Sequence, residues 1–381
     1  MADASRPRVV LIGQMPPMKG GVTTFMLNLM ASPLNRRFEF LSYTTTRPPK
    51  RDVIDNWGYA AVLRGGPRRI LLGVWLTVWR LARFPFFLIR NKIDLVQIQA
   101  SDYQVFWESV AYCLLAHFVR RPVLFRIGGA FDLFHGGSSP FLKRWIGRSL
   151  ELPECVVVQS QFSRDYVRSA GRTGEMIVLN NWTGRPVEDF KRPPTDHPVC
   201  LFIAGTEAIR KGFEEVIRAA QMLEGRDSPA RFHLVAMVPQ LVERVRAMGL
   251  TNIARIEERI EHPQLLEAMR TADIFVLPSH GEGFPNSLIE AMAAGLPSVV
   301  TPIAAVPEIV ADGGAIVVNV GDAEALADAV HRLATDATLR VRLGQEAKAA
   351  IRARYTPETV LPPLGNTYDR ILASARDGRR R

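Results

Sequence analysis

PSHGEGFPNSLIEAMAAGLPSVVTPIAAVP, residues 278–307, sets two glutamates, Glu282 and Glu290, eight residues apart across a strand-to-helix turn. Just before it, Asp273-Ile-Phe-Val-Leu-Pro278 is a short apolar run, rich in branched and aromatic residues and closed by proline, which reads as a buried parallel strand. Ser279 to Pro285 then reads as a loop, with Gly281 and Gly283 on either side of Glu282 to let the backbone come close to a ligand. Leu288, Ile289, Met292 and Ala293 recur at helical spacing, so a helix is expected here, capped by Asn286 or Ser287 and ended by Gly295-Leu-Pro297. Glu282 falls in the loop and Glu290 in the first turn or so of that helix. Pro297-Ser-Val-Val-Thr301 reads as the next strand, and Val306-Pro-Glu308 opens another helix.

In an open parallel sheet, ligands sit beyond the carboxyl ends of the strands, where this loop falls. A helix start offers unpaired N–H groups and the positive end of a dipole to an anion. A carboxylate at the same place accepts sugar or ribose hydroxyls.

The block resembles the Glu-x7-Glu signature of retaining family-4 glycosyltransferases. That resemblance extends over nearly the whole chain and is more specific in its C-terminal half. It implies an α/β protein of GT-B architecture, two doubly wound Rossmann-like domains facing across a cleft. By it, Glu290 binds the donor ribose, while Glu282 and the backbone of Gly283, Phe284, Pro285, Asn286 and Ser287 hold the transferred sugar. His280, two residues before Glu282, is a further donor-side candidate.

Gly205-Thr-Glu-Ala-Ile-Arg-Lys-Gly212 follows a buried apolar strand and precedes a helix expected from Phe213 to Met222. Arg210 and Lys211 are therefore placed to face an anion at that helix start. The resemblance assigns the place of Lys211 to a lysine that pairs with the donor diphosphate, with Gly205 beside it. Gly20-Gly21 matches the glycine pair of the first loop, where donor phosphates and acceptor approach the backbone. Two departures stand out. The family's arginine after the first glycine is Thr206 here, and Arg126 and Ile127 occupy the place of a histidine that contacts the donor sugar. His135, later in that loop, is expected to be solvated. Retention in the family is attributed to front-face attack assisted by the departing phosphate, so no enzymic nucleophile is assigned.

Working outward, two series of alternating strands and helices are visible. The first runs through Val9–Gly13, a loop at Gln14–Gly21, a helix from Val22 to Met30, then strands at Ile93–Gln99, Val123–Ile127 and Cys155–Val158. The second runs through Val199–Ala204, Phe232–Ala236, Ile253–Ile256, Ile274–Leu277 and Ser298–Val300. Asn180 to Pro198, polar and holding four prolines, is the most linker-like stretch. Two doubly wound domains follow, 1–185 on the acceptor side and 186–357 on the donor side, with a helix near 358–375 packing back on the first. The site is expected in the cleft between them.

The chain has 381 residues, enough for two cores, and 47% hydrophobic with 23% charged residues excludes a disordered protein. Cys113, Cys155 and Cys200 lie far apart in apolar runs and read as free thiols of a reducing cytoplasm. No export segment is expected from the N-terminal sequence. No Asp-x-Asp is present, and neither is a Gly-x-Gly-x-x-Gly after Val9–Ile12 nor a Gly-x4-Gly-Lys-Ser/Thr. These absences argue against metal-dependent single-domain transferases, dehydrogenases and P-loop enzymes. No metal or other cofactor is expected; the nucleotide sugar is substrate. A nucleotide-binding protein without catalysis and a two-Rossmann nucleotide-sugar epimerase are the alternatives.

The net charge of +10 suits a phosphorylated substrate or anionic lipid. With no helix-turn-helix, zinc-finger or RNP-like pattern, nucleic acid is not an expected partner. Ile70 to Ile89 is strongly apolar, yet Arg80, Arg83 and Pro85 interrupt it, so it falls short of a spanning helix. Leu71, Val74, Trp75, Val78 and Leu81 share one helical face, which suits a core-facing helix. Arg64, Arg68, Arg69, Arg80, Arg83, Arg90 and Lys92 around it suit a helix lying on an anionic membrane instead. Such a helix points to a saccharide acceptor, lipid-linked or of the cell envelope, as an expectation.

Overall fold

The computed structural model describes residues 6–16, 20–45, 67–101, 103–129, 131–184, 186–187, 192–258 and 260–380. Expectations that fall on Arg64, on 17–19 of the first loop, on Ala130, on 185 and 188–191 of the linker and on Arg381 lie outside these residues. So do the side chains of Arg68, Arg69 and Thr206.

The chain divides into two compact units, one holding the N-terminal part through Asn181 together with Pro357 onward, the other Trp182–Thr356. In the N-terminal unit six strands form one parallel sheet: β1 (Arg8–Gly13), β2 (Glu39–Thr44), β3 (Leu95–Ala100), β4 (Val123–Ile127), β5 (Cys155–Val158) and β6 (Met176–Val178). Their order is β2-β1-β3-β4-β5-β6, so the direction of winding reverses between β1 and β3. The connecting helices are α1 (Gly21–Met30), α2 (Pro67–Arg90), α3 (Tyr103–Phe118), α4 (Phe131–Gly136), α5 (Pro140–Leu150) and α6 (Gln161–Ser169).

The C-terminal unit repeats the plan with β7 (Val199–Ile203), β8 (Arg231–Val235), β9 (Ile253–Ile256), β10 (Ile274–Leu277), β11 (Ser298–Val300) and β12 (Ala315–Val317). All pair in parallel in the order β12-β11-β10-β7-β8-β9, which places the switch point between β7 and β10. Its helices are α7 (Phe213–Glu224), α8 (Pro239–Met248), α9 (His262–Thr271), α10 (Asn286–Ala293), α11 (Val306–Ile309), α12 (Ala323–Thr335) and α13 (Ala337–Arg354). The chain then returns to the N-terminal unit as α14 (Pro357–Val360) and α15 (Pro362–Arg380), where Tyr368 meets Phe38 edge-on at 5.1 Å between ring centroids.

The alternation of side chains along a strand explains why these apolar runs need helices on both faces. Cys200 and Phe202 pack with α7 and α12, while Leu201 and Ile203 enter a second core with α10. The thiols of Cys113, Cys155 and Cys200 are free and buried, and desolvation pushes all three pKa values up, the first two to about 12.

Three strands were not expected from the sequence. β2 is a partly exposed edge strand with no apolar run, and β6 and β12 are edge strands of three residues each, too short for periodicity to register. The third strand lies at Leu95–Ala100, with Ile93 before it. The core-facing reading of α2 is overturned over its first half, since Leu71, Val74, Trp75 and Val78 are 56–69% exposed. The helix instead anchors through Phe84 and Leu88, fully buried one turn apart, with Phe84 and Phe87 against Tyr43 at 5.2 and 5.0 Å.

Candidate functional site: the β7/β10 switch point

Two loops leave the adjacent carboxyl ends of β7 and β10, on either side of the point where the winding reverses. The first passes through a 3₁₀ turn at Gly205–Glu207 and reaches Gly212, the N-cap of α7. Gly212 has φ +84°, and a Cβ there would lie 2.1 Å from the Pro278 carbonyl oxygen, so only glycine lets the two loops touch. The Arg210 carbonyl accepts from the His280 N–H at 2.8 Å, which joins them again.

Charge completes the lock. The Arg210 guanidinium donates to the Gly281 carbonyl and to Glu207, and lies 3.9 Å from a Glu282 carboxylate oxygen. Arg210, expected to face an anion, is thus turned towards acceptors of the protein, because Glu207 stands one turn behind it and the Gly281 carbonyl beside it. Ser279 donates its hydroxyl to Glu282 at 3.2 Å, and its carbonyl accepts from Thr301 at 2.6 Å. Glu282, 12% exposed, is held from two sides. His280 Nε2 lies 3.0 Å from Glu215 on the first turn of α7, tying the same loop to that helix.

Lys211 is half-buried and makes no side-chain hydrogen bond or ion pair to another described residue; its N–H donates to the Glu207 carbonyl at 3.0 Å. Gly205 has φ +66° and open space where a side chain would be, so the backbone conformation alone favours glycine there.

After the second loop the cap differs from expectation. The N-cap of α10 is Pro285, not Asn286 or Ser287, and its carbonyl accepts from Leu288 at 3.1 Å. Proline suits a helix entry because its φ is already set. The N–H groups of Gly283, Phe284 and Ser287 reach no backbone carbonyl among the described residues. Phe284 is a core residue, 6.0 Å from the Tyr355 ring, so its backbone, not its ring, is what it can offer a ligand. Asn286 and Ser287 are half-buried. Gly295, at φ +72°, closes α10: its N–H donates to Met292 and that of Leu296 to Ala291, the paired bonds of a left-handed C-cap.

Glu290 is the fifth residue of α10, just past its first turn, and is 16% exposed. Its carboxylate sits 2.9 Å from His262 Nε2, on the first residue of α9. His262 had no signal in the sequence, being a lone histidine 28 residues from its partner. Among the described residues no group of three or more His, Cys, Asp or Glu is arranged to hold a metal ion.

In the N-terminal unit, Gly20 is the N-cap of α1 with φ 149°, and Gly21 its first residue. Both are exposed. Of the two residues standing where the resemblance puts a histidine, Ile127 is in the core and Arg126 is buried on the opposite face of the sheet. His135, expected to be solvated, is half-buried in α4, 3.2 Å from the Tyr166 hydroxyl, and burial first, then Lys143, lowers its pKa.

Residues 197–336, the stretch holding both loops, match the family described as glycosyl transferases group 1. The chain is 24% identical to the 2-deoxystreptamine N-acetyl-D-glucosaminyltransferase of Niallia circulans over 76% of this chain and 79% of that protein. It is 25% identical to the lipopolysaccharide core biosynthesis glycosyltransferase LpsD of Rhizobium meliloti, over 93% and 96%. The solved structure of Anabaena HepE in complex with UDP-glucose matches with a TM-score of 0.69 at 17% identity, covering 95% of this chain and 99% of that one. The fold is therefore that of the GT-B glycosyltransferases. The matched family and the relatives' names support a transferase of glycosyl groups.

Proposed function

We propose that this protein is a retaining glycosyltransferase that moves a sugar from a nucleotide-diphosphate donor to a hydroxyl acceptor, with the donor bound at the β7/β10 switch point. One observation carries the reading: two interlocked loops at that switch point present a lysine unpaired among the described residues together with two half-buried glutamates. UDP-glucose in HepE and the glycosyl-transfer names of the relatives agree with it.

In this reading the bond between the sugar's anomeric carbon and the diphosphate breaks, the acceptor oxygen bonds to the same face, and its proton passes to the departing phosphate. Lys211 and the N–H groups at the start of α10 stabilise the charge that grows on the diphosphate, an electrostatic contribution of several kcal/mol when the donors are fixed in place. Glu290 accepts the ribose hydroxyls, its orientation set by His262. Glu282, held by Ser279 and Arg210, accepts hydroxyls of the transferred sugar with the backbone of Gly283 to Ser287. Arg210 and His280 are positioning residues, and Gly205 lets the donor approach the backbone. No metal is required, so transfer persists in EDTA.

The acceptor we infer is a saccharide of the cell envelope or a lipid-linked precursor, met from the cytoplasmic side at an anionic membrane surface. The exposed face of α2 supports this. Trp75 and Trp79 stack there at 6.3 Å and Arg83 lies 4.3 Å over the Trp79 ring. By length and composition Ile70–Arg90 is apolar enough to cross a membrane. However, Arg80 donates to the Thr45 carbonyl and Phe84 and Leu88 are buried in the unit, which favours lying on the surface.

The test is incubation with UDP-, GDP- and ADP-sugars and simple saccharide acceptors, with the product's anomeric configuration read by NMR. A product of the donor's own anomeric configuration is expected. Inversion, or conversion of the donor without any acceptor, would refute the proposal.

A further inference from the structure

Among the described residues Arg126 is the largest fully buried side chain, and no carboxylate pairs with it. Its position is specific: it is the last residue but one of β4, in register with Gln99, the last but one of β3, next to the point where winding reverses between β1 and β3. That is the edge of a parallel sheet at which ligands bind.

The groups around it have donors in excess. Arg126 Nη1 reaches Gln99 Oε1 only at 3.5 Å, its Nη2 donates to Asn181 Oδ1, and the guanidinium lies 3.6 Å over the Phe25 ring. Gln159 Nε2 donates to the same Asn181 oxygen at 3.3 Å. Arg126 Nε and Gln99 Nε2 are both buried without any acceptor, although Gln99 is 3% exposed and Arg126 2%. Arg172, equally buried in this unit, also leaves its Nε without an acceptor, but its two Nη groups donate to the Leu150, Glu154 and Glu175 carbonyls and Nη1 lies 3.6 Å from a Glu151 carboxylate oxygen, an anion that Arg126 lacks among the described residues. Desolvation alone, with no opposing anion, drives the Arg126 pKa down to about 9. Gly128, two residues on, leaves the end of the guanidinium uncrowded: a Cβ there would be in ordinary contact, 3.5 Å from Arg126 Nη1 and 3.6 Å from Gln159 Oε1.

We propose that Arg126 and Gln99 form a binding site in the N-terminal unit for the oxyanion of a phosphoryl group. A phosphate oxygen supplies the acceptors that Nε and Gln99 Nε2 lack and the negative charge that the buried guanidinium lacks; a planar guanidinium binds such a group through two parallel bonds. The phosphoryl group belongs to an acceptor saccharide phosphate. That choice of substrates rests on the glycosyl-transfer reading, whereas the anion site itself does not.

Calorimetric titration with inorganic phosphate, glucose 6-phosphate and UDP decides it, using wild type, Arg126→Gln and Arg126→Lys. The wild type is expected to bind the phosphoryl ligands, Arg126→Gln at least tenfold more weakly, and Arg126→Lys in between. Loss of glucose 6-phosphate binding with UDP binding kept supports an acceptor phosphate; loss of UDP binding with glucose 6-phosphate binding kept overturns it. Should Arg126→Gln fail to fold, the Arg126 Nε–H resonance of the wild type is expected to shift on adding phosphate. Unchanged affinities in Arg126→Gln, an unmoved resonance, or a wild type that binds none of the three overturns the site. Phosphate binding in a protein that transfers no sugar would leave the site standing and remove the glycosyl-transfer reading instead.

Discussion

Lys211 and Glu290, which have different roles in the proposed reaction, also differ in their surroundings. Lys211 is left without a protein partner among the described residues, so its ammonium is available to an anion, while Glu290 is oriented by His262 at 2.9 Å. Lys211→Ala is expected to lower kcat/KM roughly 100-fold, the scale of losing one fixed donor at a developing oxyanion. Glu290→Ala should act chiefly on KM, roughly tenfold or more, the scale of hydrogen bonds to a charged group. Steady-state kinetics beside unchanged melting temperatures checks both. Glu282, Glu290 and Lys211 were legible because each lies in a short motif with its loop around it. Glu215, Thr301 and His262 were not: His280 and Glu215 are 65 residues apart, and only the folded sheet brings such pairs into contact.

At the scale of elements, the decisive contact is that between the β7 and β10 loops. Gly212→Ala would force a Cβ to within 2.1 Å of the Pro278 oxygen at φ +84°. The left-handed conformation alone costs a non-glycine residue about 1–2 kcal/mol, and the clash adds to it. A destabilisation of about 2 kcal/mol or more is therefore expected in chemical denaturation, with weakened nucleotide binding; a variant as stable as wild type would show that the loops are not locked through this glycine. Long apolar runs such as Val9–Gly13 and Val199–Ile203 were readable as strands because they are buried on both faces. β2, β6 and β12 escaped because edge strands are short or half-exposed. The exposed half of α2 escaped for another reason: helical periodicity shows that a face is apolar, not what covers it.

At the scale of the whole molecule, the +10 charge and the exposed apolar surface belong to one question. Leu71, Trp75, Val78 and Phe86 on α2 are 58–74% exposed, and Phe118 on α3 and Phe141 on α5 are 82% and 72% exposed, all within the N-terminal unit. Basic residues near a membrane contribute about 1 kcal/mol each against anionic lipid, and burying a large apolar side chain contributes about 1.5–3 kcal/mol. The protein is thus expected to sediment with phosphatidylglycerol vesicles at low salt and far less with phosphatidylcholine, and a Trp75→Ala, Trp79→Ala double variant to bind roughly tenfold more weakly or worse. No sedimentation with anionic vesicles would remove the membrane from the account.

The central claim is sugar transfer from a donor seated at the β7/β10 switch point, and the most direct measurement is the transfer rate from the best nucleotide sugar for wild type against Lys211→Ala. A fall of roughly 100-fold with the fold intact is predicted; equal rates, or no transfer by the wild type from any nucleotide sugar, would contradict it.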